Sequence, residues 1–170
     1  ERLAAAGAEL TVSDLDQRRL ERAADEWGAE LLAHDVPAPT VSCDVFAPCA
    51  LGGVVSDDTL PLLGASAIAG SANNVLADAR CGRELHRRGI LFAPDFVVNS
   101  GGLLFGALFH LEGASPPPER IAAIGDLLAR VFFEATVQDA PPEQVAEALA
   151  AQRLQAAKAP PFFPQRDAVP

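Results

Sequence analysis

A chain of 170 residues is long enough to bury the core of one domain, and 49% hydrophobic with 21% charged residues is an ordinary soluble composition. The formal net charge of −10 argues against nucleic acid, because holding a phosphate backbone needs clustered lysine and arginine. No apolar run reaches the length of a membrane span, since Pro61, Gly64, Gly70 and an asparagine pair interrupt residues 60–76, and Glu1 opens no basic leader; a cytoplasmic protein is the expectation.

In chain order, residues 1–6 read as the last turns of a helix stopped by Gly7. Residues 8–13 form a short strand with β-branched Thr11 and Val12, closed by Asp14. Asp16 caps a helix that runs to Trp27, with Leu20, Ala23, Ala24 and Trp27 at helical spacing, and Gly28 ends it. Residues 31–40 are a surface connection with two prolines. Residues 41–46 are a strand, apolar on both faces apart from Asp44. A short helix over 57–62, a strand over 67–69 and a helix over 78–88 follow. Residues 90–92 and 96–98 are short strands around Pro94. A helix begins at Gly102 and runs to Leu111 before the Pro116-Pro117-Pro118 break. A long helix from Pro118 to about Thr136 puts Ile121, Ile124, Leu127, Leu128, Val131 and Phe132 on one face, and a final helix covers 141–154. Residues 1–155 make the domain, and 156–170 a Pro-rich, mobile tail.

Strands alternating with helices imply βαβ units and a parallel sheet. Continuous apolar strands imply that both sheet faces are covered. The expected fold is α/β: a Rossmann-like, doubly wound parallel sheet, incomplete at its N-terminus, with C-terminal helices.

Residues 68–78 read I-A-G-S-A-N-N-V-L-A-D. A strand breaks at Gly70 into a polar loop, and a helix starts beyond Asp78. Asn73 and Asn74 thus stand outside the carboxyl end of a strand, where a parallel sheet presents its ligand crevice. An amide offers donors and acceptors to an uncharged polar ligand such as a ribose, a carboxamide or an amino acid. An Asn-rich turn is the other reading of the same residues.

Cys43, Cys49 and Cys81 are odd in number and lack CxxC spacing, which fits free thiols rather than disulfides or zinc. Cys49 has no histidine partner motif that would make it a nucleophile. His34, His86 and His110 show no metal-ligand spacing.

Two further blocks join G-S-A-N-N: S-C-D-V-F-A-P-C-A-L-G-G over 42–53 and R-G-I-L-F-A-P-D-F-V-V-N-S-G-G-L-L over 88–104. In this order and spacing the three blocks resemble the nucleotide-binding domain of the amino-acid dehydrogenases acting on glutamate, leucine, phenylalanine and valine. They are most similar to the leucine/valine/phenylalanine branch. The resemblance covers about residues 1–155 and none of the tail.

That resemblance implies NAD and an amino acid as ligands, and a homo-oligomer when full length. Asp14, at the end of the first strand, takes the place of the acidic residue that accepts the adenosine ribose hydroxyls, or it is a turn or cap aspartate. Such an acid normally lies about 20 residues beyond the Gly-rich phosphate loop, which puts that loop before residue 1 and reads the chain as cut inside its first βαβ unit. A carboxylate there opposes the 2′-phosphate of NADP, so NAD is expected; Arg18 and Arg19 read as a solvated helix face. Cys49, Ala50 and Leu51 enter the Gly52-Gly53 turn and, by the resemblance, lie against the cofactor. Asn73 transfers as the contact to the nicotinamide ribose or the substrate, with Asn74 as a buttress. Asn99 stands beside the nicotinamide carboxamide, and Gly101 and Gly102 permit close approach. Ser100 departs from the family's usual alanine. Asp95 is a strand-end turn residue, or orients the Asn99 loop. Leu103 and Gly106, first and fourth after N-S-G-G, line the side-chain pocket, and neither can hydrogen-bond a γ-carboxylate.

The family draws its acid–base lysine and aspartate from an N-terminal substrate domain. Lys158, the one lysine here, is a poor substitute in its Pro-rich tail, so this chain holds no catalytic residue and half of a cleft. The expected function is the NAD-binding portion of an enzyme that oxidatively deaminates an apolar L-amino acid to a 2-oxo acid and ammonia. The alternatives are an NAD-dependent dehydrogenase of another substrate class and a non-catalytic nucleotide-binding or interaction module.

Overall fold

Capping carboxylates and prolines set the element boundaries of this computed structural model, which describes residues 1–156. The expected 156–170 tail and Lys158 fall outside the described residues, save Ala156. A short α1 (Arg2–Ala5) precedes β1 (Thr11–Val12). The Asp16 carboxylate accepts the Arg18 N–H and caps α2 (Gln17–Trp27), and left-handed Gly28 closes it. β2 (Glu30–Leu31) follows directly, so the connection expected from residue 31 begins as a strand. Both its residues are exposed and show no alternation; pairing with β1 defines it.

The remaining strands are β3 (Cys43–Phe46), β4 (Ala65–Ile68) and β5 (Leu91–Phe92). Asp78 accepts the N–H groups of Arg80 and Cys81 and caps α3 (Ala79–Arg87). Four more helices follow: α4 (Asp95–Val98), α5 (Gly101–Glu112), α6 (Pro118–Gln138) and α7 (Pro142–Ala156).

Two local expectations change. The short helix expected over 57–62 shrinks to a 3-10 turn, Leu60–Leu62. The Thr59 hydroxyl accepts the Ser56 N–H and donates to the Val54 carbonyl, offering the backbone an alternative to helix. Residues 96–98, expected as a strand, belong to α4. β-branched Val97 and Val98 suggest a strand. Pro94 at the helix entry and Asp95 in its first turn favour the helix, and they prevail.

All strand pairs are parallel. They form a two-stranded sheet, β1-β2, and a three-stranded sheet, β3-β4-β5, which share no ladder. Register explains which face of the larger sheet is covered. Phe46, Ile68 and Phe92 are partners across β3, β4 and β5. Ile68 and Phe92 are 1% and 3% exposed and pack with Val55, Val75, Cys81 and Leu85 from the loops and α3. Val45, Ala67 and Leu91 form the adjacent row. It points the other way, and Val45 and Leu91 are 53% and 44% exposed. Ala65, on that same face, is 6% exposed, so the second face is covered in part.

The apolar stripe of α6 packs where its spacing places it. Val131 and Ala135 join Val97 of α4 and Val145, Ala146 and Leu149 of α7 in a second core, with Leu127 and Leu128 against it. This cluster fixes α4 and so fixes the residue that follows it, Asn99.

Candidate functional site

Because β3, β4 and β5 are parallel, the loops at their carboxyl ends meet on one edge. These are the loop from Ala47 to Gly53, the loop from Ala69 to Ala77, and α4. Backbone bonds knit the first two. The Ala69 N–H donates to the Phe46 carbonyl at 3.0 Å, the Ala72 N–H to the Pro48 carbonyl at 3.0 Å, and the Gly53 N–H to the Asn74 carbonyl at 2.7 Å. Cys49, Ala50 and Leu51 are exposed between the last two ties, placed by them rather than by packing.

Gly52 has a sharper reason to be glycine. A Cβ there would sit 2.5 Å from the Asn73 carbonyl oxygen and 2.8 Å from that of Asn74. Asn74 itself is left-handed, with φ +52°. Asparagine tolerates that conformation better than most residues, so its turn reading describes Asn74. Asn73 does something different.

The Asn99 Nδ2 donates to Asn73 Oδ1 at 2.7 Å and to the Ala72 carbonyl at 3.2 Å, with the Ser71 carbonyl at 3.5 Å. Carbonyls only accept, so the Asn99 atom among them is the nitrogen, and the Asn73 atom it meets is the oxygen. Both amides are thereby oriented. Among the described residues, Asn73 Nδ2 and Asn99 Oδ1 have no protein partner, leaving one donor and one acceptor on two side chains that line the same cleft. Asn73, Asn99, Ser71, Phe96, Ser100 and Leu103 line a cleft of about 480 Å³. A donor–acceptor pair of this kind complements a primary carboxamide, whose oxygen accepts and whose nitrogen donates.

Leu103 stands on α5 at the cleft, 79% exposed. Gly106 is one turn further along the same helix face and is not among the lining residues. Sequence reasoning missed Ser71 and Phe96 as lining residues. The G-S of the loop motif was the signal for Ser71. Phe96 was hidden by its placement in a strand. Asp95 is a helix-start residue, not a strand-end turn. Its Oδ2 accepts the Val75 N–H at 2.7 Å, so it grips the Asn73 loop from α4.

Asp14 follows β1, at the carboxyl end of the other sheet. Its Oδ1 accepts the Asp16 N–H at 2.9 Å, a turn role, while Oδ2 lies 3.7 Å from Arg19 Nη1. Arg19 is therefore exposed but paired, and is more than a solvated helix face. No cluster of metal-ligating side chains occurs among the described residues, and no helix there is long and apolar enough to cross a membrane.

The sequence profile of the glutamate/leucine/phenylalanine/valine dehydrogenases matches residues 6–115. The chain belongs to that family. The matched span contains every candidate residue from Asp14 to Gly106. Leucine dehydrogenase of Thermoactinomyces intermedius is 45% identical over 98 residues, 58% of this chain and 26% of that protein. Phenylalanine dehydrogenase of Bacillus thermotolerans is 42% identical over 102 residues, 58% of this chain and 27% of that protein. The crystal structure of L-tryptophan dehydrogenase from Nostoc punctiforme superposes with a TM-score of 0.83 at 32% identity, covering 92% of this chain and 48% of that one. The chain thus spans about a quarter of the curated dehydrogenases it matches and about half of the solved one. The superposition makes the split parallel sheet and its helices a Rossmann-like α/β fold of the dehydrogenase type.

Proposed function

We propose that this chain is the nucleotide-binding half of an NAD-dependent dehydrogenase that oxidatively deaminates an apolar L-amino acid to a 2-oxo acid and ammonia. The observation that carries this reading is the Asn73–Asn99 hydrogen bond in the cleft at the strand ends. It leaves Asn73 Nδ2 and Asn99 Oδ1 to hold the carboxamide of nicotinamide. Gly52 brings the Cys49–Ala50–Leu51 loop to the same edge, to lie along the cofactor. Asp14 Oδ2 accepts the adenosine ribose hydroxyls, and its charge favours NAD over NADP. The nicotinamide ring, when bound, takes the hydride released from the substrate α-carbon. This domain's own part is to orient that ring and to shape the substrate side of the cleft.

Leu103 supports an apolar substrate. It is the apolar side chain beside the asparagine pair, and it offers no partner to a γ-carboxylate. The named relatives act on leucine, phenylalanine and tryptophan, which fits the same reading. The groups that activate water for attack on the imine carbon lie outside this chain, and the cleft is completed by another domain.

In the full-length enzyme, Asn73→Ala should lower kcat/KM roughly five- to 150-fold, the equivalent of about 1–3 kcal/mol for an unpaired ligand group, with an unchanged melting temperature. Wild-type kcat/KM with a lowered melting temperature would reduce Asn73 to a turn residue.

A further inference from the structure

We propose that Asp95 is a positioning residue: its carboxylate pins the loop that carries Asn73 to the helix that precedes Asn99, and so holds the two amides in register. The inference deepens the reading of those amides as the carboxamide site and rests on it.

The contact spans twenty residues of sequence. Asp95 Oδ2 accepts the Val75 N–H at 2.7 Å, while Oδ1 accepts the Phe96 N–H at 2.7 Å at the start of α4. The Asn99 N–H donates to the Asp95 carbonyl at 2.9 Å, so the two residues stand one helical turn apart. From that turn they hold the same loop at two points. Asn99 holds Ser71 to Asn73, and Asp95 holds Val75.

Asn74 lies between these points in a left-handed conformation, which persists only where the surroundings determine it. The two peptide groups that follow it are each held through their carbonyl. The Asn74 carbonyl accepts from Gly53 at 2.7 Å, and the Val75 carbonyl accepts from Val55 at 3.0 Å. The Val75 N–H is the remaining group of that peptide turn, and Asp95 is its acceptor. Val75 is buried, so its N–H has no ready access to water. Without the carboxylate the loop can turn about Asn74, and the Asn73 oxygen leaves Asn99. The role requires an acceptor oxygen of this reach. It does not require a negative charge.

Three variants of the chain separate this from a general loss of stability. Asp95→Ala removes the acceptor. Asp95→Ser keeps a helix-starting hydroxyl too short to reach Val75, and serves if the alanine variant fails to fold. Asp95→Asn keeps the acceptor oxygen and loses the charge. The primary readout is the pair of Asn73 and Asn99 side-chain amide signals in the ¹H–¹⁵N spectrum without ligand; the second is NAD affinity by titration. We expect those signals to move or broaden in Asp95→Ala and Asp95→Ser, with NAD binding about tenfold weaker. Asp95→Asn, with one oxygen for Val75 and none left for the Phe96 N–H, should recover both in part. A melting temperature lowered in all three variants, with amide signals unmoved in Asp95→Ala and Asp95→Ser, would overturn the proposal, as would equal displacement in Asp95→Asn. If the full-length wild-type enzyme shows no NAD binding, the carboxamide reading fails, and the ligand-free amide signals of the chain still decide whether Asp95 positions the pair.

Discussion

The two oxygens of Asp14 face different groups, the Asp16 N–H and the Arg19 guanidinium. The turn and the ribose readings therefore do not compete for the same atom. Arg19 sets a positive charge beside the carboxylate, 3.7 Å away. Asp14→Arg should remove the ribose acceptor and leave two cations for a 2′-phosphate. The ratio of NADP to NAD affinity is expected to rise about tenfold or more. An unchanged ratio in parallel titrations would take Asp14 out of the site. Asn73 was legible from its place at the end of an apolar strand, and Asn99 from the resemblance at V-V-N-S-G-G. Asp95 was not. Its partner is a backbone N–H twenty residues away, and no local pattern carries that information.

At the scale of elements, cap and stop signals were readable wherever one side chain meets the next turn, as Asp16 and Asp78 do. Loop-to-loop packing was not, and Gly52 is the case in point. Gly52 and Gly53 look alike in sequence, but a Cβ meets backbone carbonyls at Gly52 and open space at Gly53, where φ is +69°. Gly53→Ala should cost about 1 kcal/mol of stability for its left-handed backbone and spare NAD binding. Gly52→Ala must displace the Asn73–Asn74 peptide, and should weaken NAD binding at least tenfold. The reverse order of effects in a titration of both variants would contradict the contact.

The junction of α3 and α7 adds a pH dependence. Glu143, in the first turn of α7, is 8% exposed, packs on Gly82 of α3, and neither of its carboxylate oxygens has a partner. Burial pushes its carboxyl above the usual value of 4.5, and Glu147 of the same helix adds to this, while His86 and Arg83 of α3 oppose it. The folded chain thus holds this proton more tightly than the unfolded chain. The group favours folding most below the ordinary carboxyl range, and that advantage is lost as pH rises through the raised value. Glu143→Gln should raise the melting temperature by roughly 2–4 °C above neutral pH. The gain should shrink as pH falls toward 4.5. A gain independent of pH would assign the effect to packing instead of charge.

The whole molecule was legible as α/β with parallel strands, and less so as a sheet. Among the described residues no ladder joins β1 to β3, and one face of the larger sheet is open at Val45 and Leu91. Apolar strands announce burial without saying what covers them. The same holds for α5, apolar all round in sequence, where Leu108 is buried while Leu103, Phe105, Phe109 and Leu111 are exposed. The chain spans about a quarter of the curated dehydrogenases it matches and about half of the solved one. The central claim, that the edge formed by β3, β4 and β5 holds nicotinamide between Asn73 and Asn99, is tested most directly by a ¹H–¹⁵N titration of the chain with NAD. Saturable displacement of the Asn73 Nδ2 and Asn99 side-chain signals is expected, with Gly52, Gly53 and Asp14 following. Saturation with those amides unmoved would contradict that site.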